Sequence, residues 1–74
     1  MADSQIDAIG LQCPMPIARI SADIKKLESG QTVEVKADDP AFEEDVRAFC
    51  RVSGNNLEQI EEIDGIYTAI IKKC

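Results

Sequence analysis

Leu57-Glu58-Gln59-Ile60-Glu61-Glu62-Ile63-Asp64-Gly65-Ile66-Tyr67-Thr68-Ala69-Ile70-Ile71 is the stretch on which the fold turns. Leu57, Ile60 and Ile63 recur at a spacing that would suit one face of a helix. Asp64-Gly65 decides against it. Between two apolar runs this dipeptide is a strong hairpin signal, because both residues tolerate the positive φ of a tight turn. The residues after it, Ile66 to Ile71, are rich in strand formers. Leu57–Ile63 and Ile66–Ile71 are therefore expected to pair as antiparallel strands.

Working back towards the N-terminus, Thr32-Val33-Glu34-Val35-Lys36-Ala37 alternates as a half-buried strand does, with Val33, Val35 and Ala37 facing inward. Gln5 to Ile9, with β-branched Ile6 and Ile9, reads as another strand closed by Gly10. Two helices separate these segments. The first carries Ile17, Ile20, Ile24 and Leu27 on one face, leaves Arg19, Asp23, Lys25 and Lys26 to solvent, and is expected to end at Gly30. The second opens at Asp38-Asp39-Pro40, an Asp cap with a proline in the first turn and Glu43 and Glu44 near the positive end of the dipole. Phe42, Val46, Phe49 and Cys50 form its apolar face, and Gly54 terminates it. Helical crossovers join parallel strands with a right-handed turn, which puts both helices on the same face of the sheet. The expected fold is an α/β (α+β) two-layer sandwich of order βαβαββ, with one four-stranded mixed sheet and two helices on one face.

Composition narrows the functional classes. A chain of 74 residues is read as a single domain, 1–74, with a thin core. No apolar run approaches membrane-spanning length, and Met1-Ala2-Asp3-Ser4-Gln5 has neither a basic segment nor an apolar signal core, so a cytoplasmic protein with no membrane partner is expected. A net charge of -6 argues against direct, sequence-independent binding of nucleic acid, which depends on cations displacing counterions from phosphates. Cysteines at 13, 50 and 74 do not make a secreted disulfide framework. None lies in a Cys-x-x-Cys pair and the chain has no histidine, so neither a metal site nor another cofactor is expected. The same lack of histidine removes the imidazole base that a cysteine hydrolase normally needs.

Gly10-Leu11-Gln12-Cys13-Pro14-Met15-Pro16 places a thiol at a helix entrance. Proline is tolerated in a first helical turn. Cys13 is accordingly expected at the N-cap, where the amides of Cys13 and Met15 and the positive helix end would favour thiolate. Met15 precedes a proline and is pushed away from helical angles, so a helix start a turn later is the alternative. Two prolines in one turn hold the sulfur in a defined, accessible place; packing is the plain alternative for the cysteine. Arg19 is the candidate charge partner of Cys13. Met15 offers either an apolar contact to a partner or a filler for the core. Cys50 reads as a buried structural thiol. Cys74 reads as an incidental terminal thiol, with resolving a disulfide or taking sulfur from Cys13 as its alternative roles. The acidic run Asp38 to Asp45 reads as a solvated helix entrance, with a docking surface for a basic partner as the other reading.

Asp7-Ala8-Ile9-Gly10-Leu11-Gln12-Cys13-Pro14-Met15-Pro16, Ala37-Asp38-Asp39-Pro40-Ala41 and Phe49-Cys50 together resemble the TusA (SirA-like) family of small sulfur-transfer proteins. The family hallmark is glycine, an apolar residue, any residue, cysteine, proline, any residue and proline, filled here by Gly10, Leu11, Cys13, Pro14 and Pro16. The resemblance covers nearly the whole chain. It implies the βαβαββ sandwich and a sulfurtransferase in which the cysteine matched by Cys13 accepts sulfane sulfur as a persulfide and passes it on. It also implies a donor such as a cysteine desulfurase or rhodanese-type protein. The implied acceptors include DsrE-type relay proteins leading to tRNA thiolation, while other members serve sulfur oxidation or molybdenum cofactor supply. The chemistry of exchange is compatible with this, since it needs an accessible thiolate and no base to activate water. The competing expectation is a non-catalytic regulatory or thiol-redox-sensing module in which Cys13 forms a disulfide.

Overall fold

In the computed structural model, which describes residues 3–74, Asp64 and Gly65 adopt φ of 52° and 82°. Two successive positive φ values are what a tight two-residue hairpin turn needs. The turn joins strand β3 (Asn56–Ile63) to strand β4 (Ile66–Lys72), and the Gly65 N–H donates to Glu62 Oε2 across it at 2.6 Å. The helix-like spacing within β3 has a definite cause. A bulge lies between Leu57 and Gln59, so that Leu57 stands opposite Ile71 and Ile60 opposite Ala69. One extra residue in the strand returns two positions three apart to the same inward face. Ile63, beyond the bulge, pairs with Ile66 and is 63% exposed.

The remaining elements are strand β1 (Ser4–Ala8), helix α1 (Met15–Ile24), strand β2 (Thr32–Ala37) and helix α2 (Phe42–Ser53), giving the expected βαβαββ order. The sheet runs β1-β2-β4-β3, with β1 and β2 parallel and the other neighbours antiparallel. Ile6, Val35 and Ala69 stand in one row of the inward face, and Val33 and Ile71 in another. Ile20 and Ile24 of α1 and Phe42, Val46 and Cys50 of α2 close over these residues to form one core. Among the described residues no helix is long and apolar enough to cross a membrane.

Several boundaries differ from the sequence-based expectations. β1 ends at Ala8, so Ile9 lies outside the strand and is 46% exposed. α1 ends at Ile24 and unwinds through a turn in which the Leu27 N–H donates to the Ile24 carbonyl. Gly30 therefore does not cap it; with φ of 91° this glycine shapes the loop into β2, and its N–H donates to the Lys73 carbonyl. At α2 the N-cap residue is Ala41 rather than an aspartate. Asp39 acts one step earlier, its carbonyl accepting from the Phe42 N–H and its carboxylate from the Ala41 N–H. Gly54 is the left-handed C-cap as expected. Met1 and Ala2, part of the stretch read as lacking a signal segment, lie outside the described residues.

Because the core is one layer of side chains thick, its members are individually costly to remove. Ile20→Ala, at a fully buried position, is expected to cost about 2–5 kcal/mol in urea unfolding. Val52→Ala, 86% exposed on α2, should change stability by no more than about 0.5 kcal/mol.

Candidate functional site

Parallel pairing of β1 with β2 aligns Ala8 with Ala37, so the loops that leave their C-terminal ends lie side by side. In open α/β sheets this is where ligand-handling loops gather. The first loop, Ile9 to Pro14, carries the cysteine. Its Gly10 has φ of 89°, and the Gly10 N–H donates to Asp38 Oδ1 at 2.9 Å. The Cys13 N–H donates to Asp39 Oδ2, also at 2.9 Å. Half-buried Leu11 packs against the core and anchors the loop from beneath. The Asp-Asp pair that sequence reasoning treated as a helix entrance thus holds the cysteine loop by its backbone.

Cys13 is not the cap of α1. The Cys13–Pro14 peptide is cis, Pro14 takes the N-cap position and the helix begins at Met15, one residue beyond the expected start; Met15 is helical despite the proline after it, so the start a full turn later is not taken. Pro16 is buried in the first turn, whereas Pro14 is exposed. The thiol of Cys13 is exposed and lies in a cluster with side-chain oxygens of Asp39 and Asp45, these atoms all within 4.8 Å of one another. Asp45 Oδ2 is buried and meets no donor at full hydrogen-bond geometry.

The electrostatic consequence overturns the expectation of a dipole-activated thiolate. Hydrogen bonding to the Asp45 side chain pushes the Cys13 thiol above its ordinary value, and partial desolvation and the negative charges of Asp45 and Asp39 push the same way. The two amides expected to favour thiolate are committed elsewhere, that of Cys13 to Asp39 and that of Met15 to the Gln12 carbonyl. Arg19 is exposed and contributes no stabilising charge; the charges that reach Cys13 are the two carboxylates. The expected pairing of Arg19 with Cys13 is therefore not made.

Cys13 stands at the junction of two depressions. One, about 440 Å³, is floored by the Gly10–Cys13 backbone and walled by Asp38, Asp39 and Pro40. The other, about 340 Å³, is an apolar groove between Pro14 and Ile17 of the α1 side and Ala48, Phe49 and Val52 of α2, with Asp45 at its edge. Met15, 50% exposed, is a surface residue and not a core filler. Of the two carboxylates beside the sulfur, that of Asp39 has both oxygens engaged, Oδ1 accepting from the Ala41 N–H and Oδ2 from the Cys13 N–H.

The other cysteines are elsewhere. Cys50 is buried on α2, and burial pushes its thiol up, in keeping with a structural role. Cys74 is exposed, its N–H donating to Asn55 Oδ1 and its thiol facing the Gly54 carbonyl. Thr32 of β2 pairs with Lys72 while Ala37 pairs with Tyr67, so the chain end and the Cys13 loop lie at opposite ends of β2. Five strand steps separate them by about 16 Å. A disulfide needs Cα atoms within roughly 7 Å, so the folded chain does not bring Cys13 and Cys74 together.

Comparison with known proteins places this geometry in a lineage. The family model described as sulfurtransferase TusA matches residues 4–73. The chain belongs to the TusA family. It is 39% identical over 71 residues to the sulfur carrier protein TusA of Allochromatium vinosum, covering 96% of this chain and 93% of that one. It is 41% identical over 72 residues to an Aquifex aeolicus protein named provisionally as a sulfur carrier, covering 97% of this chain. The chain spans only 36% of that protein's length. The fold is shared with the crystal structure of a SirA-like protein from Desulfitobacterium hafniense, at a TM-score of 0.81 and 27% identity over 93% of this chain and 95% of the other.

Two measurements test the site as described. The alkylation rate of Cys13 against pH should give a midpoint above that of an unperturbed thiol, about 8.5, the reverse of dipole activation. Asp39→Ala removes acceptors from the Cys13 and Ala41 amides and should lower stability by about 1–3 kcal/mol. Amide exchange at Cys13 should accelerate in the same variant.

Proposed function

We propose that this TusA-family chain is a sulfur carrier that holds sulfane sulfur as a persulfide on Cys13 and relays it between protein partners. The observation that carries the reading is an exposed thiol whose backbone is pinned by Asp39, where a polar cleft and an apolar groove meet. Small substrates have no enclosed chamber there, whereas the reactive cysteine of another protein can reach an open sulfur flanked by apolar surface.

The chemistry needs only sulfur exchange. The Cys13 thiolate attacks the outer sulfur of a donor persulfide, one S–S bond forms as another breaks, and the donor cysteine leaves as thiolate. The new persulfide persists until an acceptor thiolate attacks its outer sulfur and Cys13 leaves in turn. No net oxidation occurs, and no metal or organic cofactor enters either step. Gly10 and Leu11 shape and anchor the loop, Pro14 and Pro16 set the chain's entry into α1, and Met15 presents an apolar contact to a partner. The donor is a cysteine desulfurase or rhodanese-type protein and the acceptor a DsrE-type relay protein, in a reducing cytoplasm. The acceptor, not the carrier, sets whether sulfur ends in tRNA thiolation or another route. The chain acts more as a carrier than as a multi-turnover enzyme.

Reduced protein incubated with a cysteine desulfurase and cysteine should gain the mass of one sulfur atom on the Cys13 peptide, removable by reductant. Cys13→Ser should carry none. Equal reductant-labile sulfur in that variant would sink the proposal, and a defined Cys13 disulfide with no loadable persulfide would favour redox sensing.

A further inference from the structure

We propose that Asp45 is a specificity-determining residue that makes Cys13 select donors and acceptors carrying a cationic group beside their reactive sulfur. The inference rests on the carrier reading of Cys13 and adds to it what kind of partner the sulfur accepts.

The two carboxylates beside Cys13 are not equivalent. Asp39 has its charge answered, one oxygen by the Cys13 N–H and the other by the Ala41 N–H. Asp38 is likewise engaged by the Gly10 N–H. Asp45, projecting from α2, has a buried Oδ2 with no donor in hydrogen-bonding geometry and a position against the Cys13 sulfur. An acceptor left without a donor in a partly desolvated place is costly, and more so for an ionised group. In the resting protein the Asp45 carboxylate beside the sulfur favours the protonated thiol, so the unengaged sulfur is biased towards its less reactive form.

An incoming sulfur compound changes that balance according to its own charge. A cation placed beside the attacked sulfur can pair with Asp45, release the carboxylate's hold on the thiol proton and favour the thiolate that must attack. An anion placed there meets Asp45 and Asp39 and is repelled. From α2 the group facing Cys13 is Asp45, from the β2–α2 loop it is Asp39, and no basic side chain acts on the sulfur from α1. Selection at this position therefore comes from negative charge alone. Asp45 also borders the apolar groove formed with Pro14, Ile17 and Phe49. The fitting partner surface is thus an apolar ridge with a lysine or arginine next to its cysteine.

Two symmetric disulfides of opposite charge read this out directly. Cystamine is cationic and dithiodiglycolate anionic, and each reacts by the same balanced step. The Cys13 thiolate attacks one sulfur, a mixed disulfide forms, and the other half leaves as thiolate. With Cys74→Ser as background, cystamine should react severalfold faster than dithiodiglycolate at low ionic strength, and salt should shrink the ratio. Asp45→Asn should bring the ratio towards that of an exposed control thiol, Cys74 in Cys13→Ser, and shift the pH midpoint of the reaction downward. Asp45→Glu should retain the preference. Glu61→Gln, an equal loss of charge on exposed β3, should leave it unchanged.

A ratio equal to that of the control thiol in the parent protein would overturn the inference without any Asp45 variant. So would a ratio that survives Asp45→Asn in a protein folded by circular dichroism. Sulfur loading on Cys13 with no charge preference would remove this inference and leave the carrier reading standing. A charge preference abolished by Asp45→Asn, with no sulfur loading from any donor, would support the electrostatic assignment and remove the carrier reading.

Discussion

Parallel pairing of β1 with β2 is the constraint on which the site depends. A crossover through α1 returns the chain beside β1 in the same direction, so both strands end at the same edge of the molecule. The loop that carries Cys13 and the loop that carries Asp38 and Asp39 must then emerge together. Once adjacent, the loops are joined by two carboxylate-to-amide hydrogen bonds, at Gly10 and Cys13. Hydrogen bonds to an ionised acceptor are among the stronger ones available to an exposed loop. They let a short segment outside regular structure hold a sulfur in one place.

The same arrangement has an electrostatic consequence that opposes rapid chemistry. A carboxylate that secures the Cys13 backbone also stands near its sulfur, and a second one from α2 faces it more directly. The thiol is stabilised relative to the thiolate. A depressed pKa raises the thiolate fraction but weakens the nucleophile and improves the leaving group. A thiol biased towards its protonated form suits a carrier better than permanent activation, since a carrier that reacted with any passing disulfide would lose its cargo site. The acidic surroundings are consistent with that behaviour.

Much of the fold could be read directly from residue pattern. The Asp64-Gly65 turn, the alternation in Thr32–Ala37 and the helical faces of both crossovers were sufficient for the element order, because each is a local signal. The spacing of Leu57 and Ile60 left a helix as a competing reading because a bulge changes the period of a strand, and a bulge is set by its pairing with β4. At the site, Cys13 and the Gly10–Pro16 stretch stood out in the sequence. Its electrostatic environment did not. The positive helix end was a local inference, whereas Asp45 lies 32 positions along the chain and reaches Cys13 only through the packing of α2 beside α1. Asp38 and Asp39 were visible, but as a helix start, since their second role requires knowing that two loops are neighbours.

What the sequence determined by itself is therefore the kind of group at the centre, an accessible cysteine between a glycine turn and two prolines, and the order of the elements around it. Only the tertiary structure decided that group's chemical state. A residue's conformational preference is settled over a few neighbours by sterics and local hydrogen bonds, so it can be read in order along the chain. The charge state of a thiol depends on distances in space, and here the decisive distances are those to Asp39 and Asp45, which parallel strand pairing and helix packing alone bring within reach.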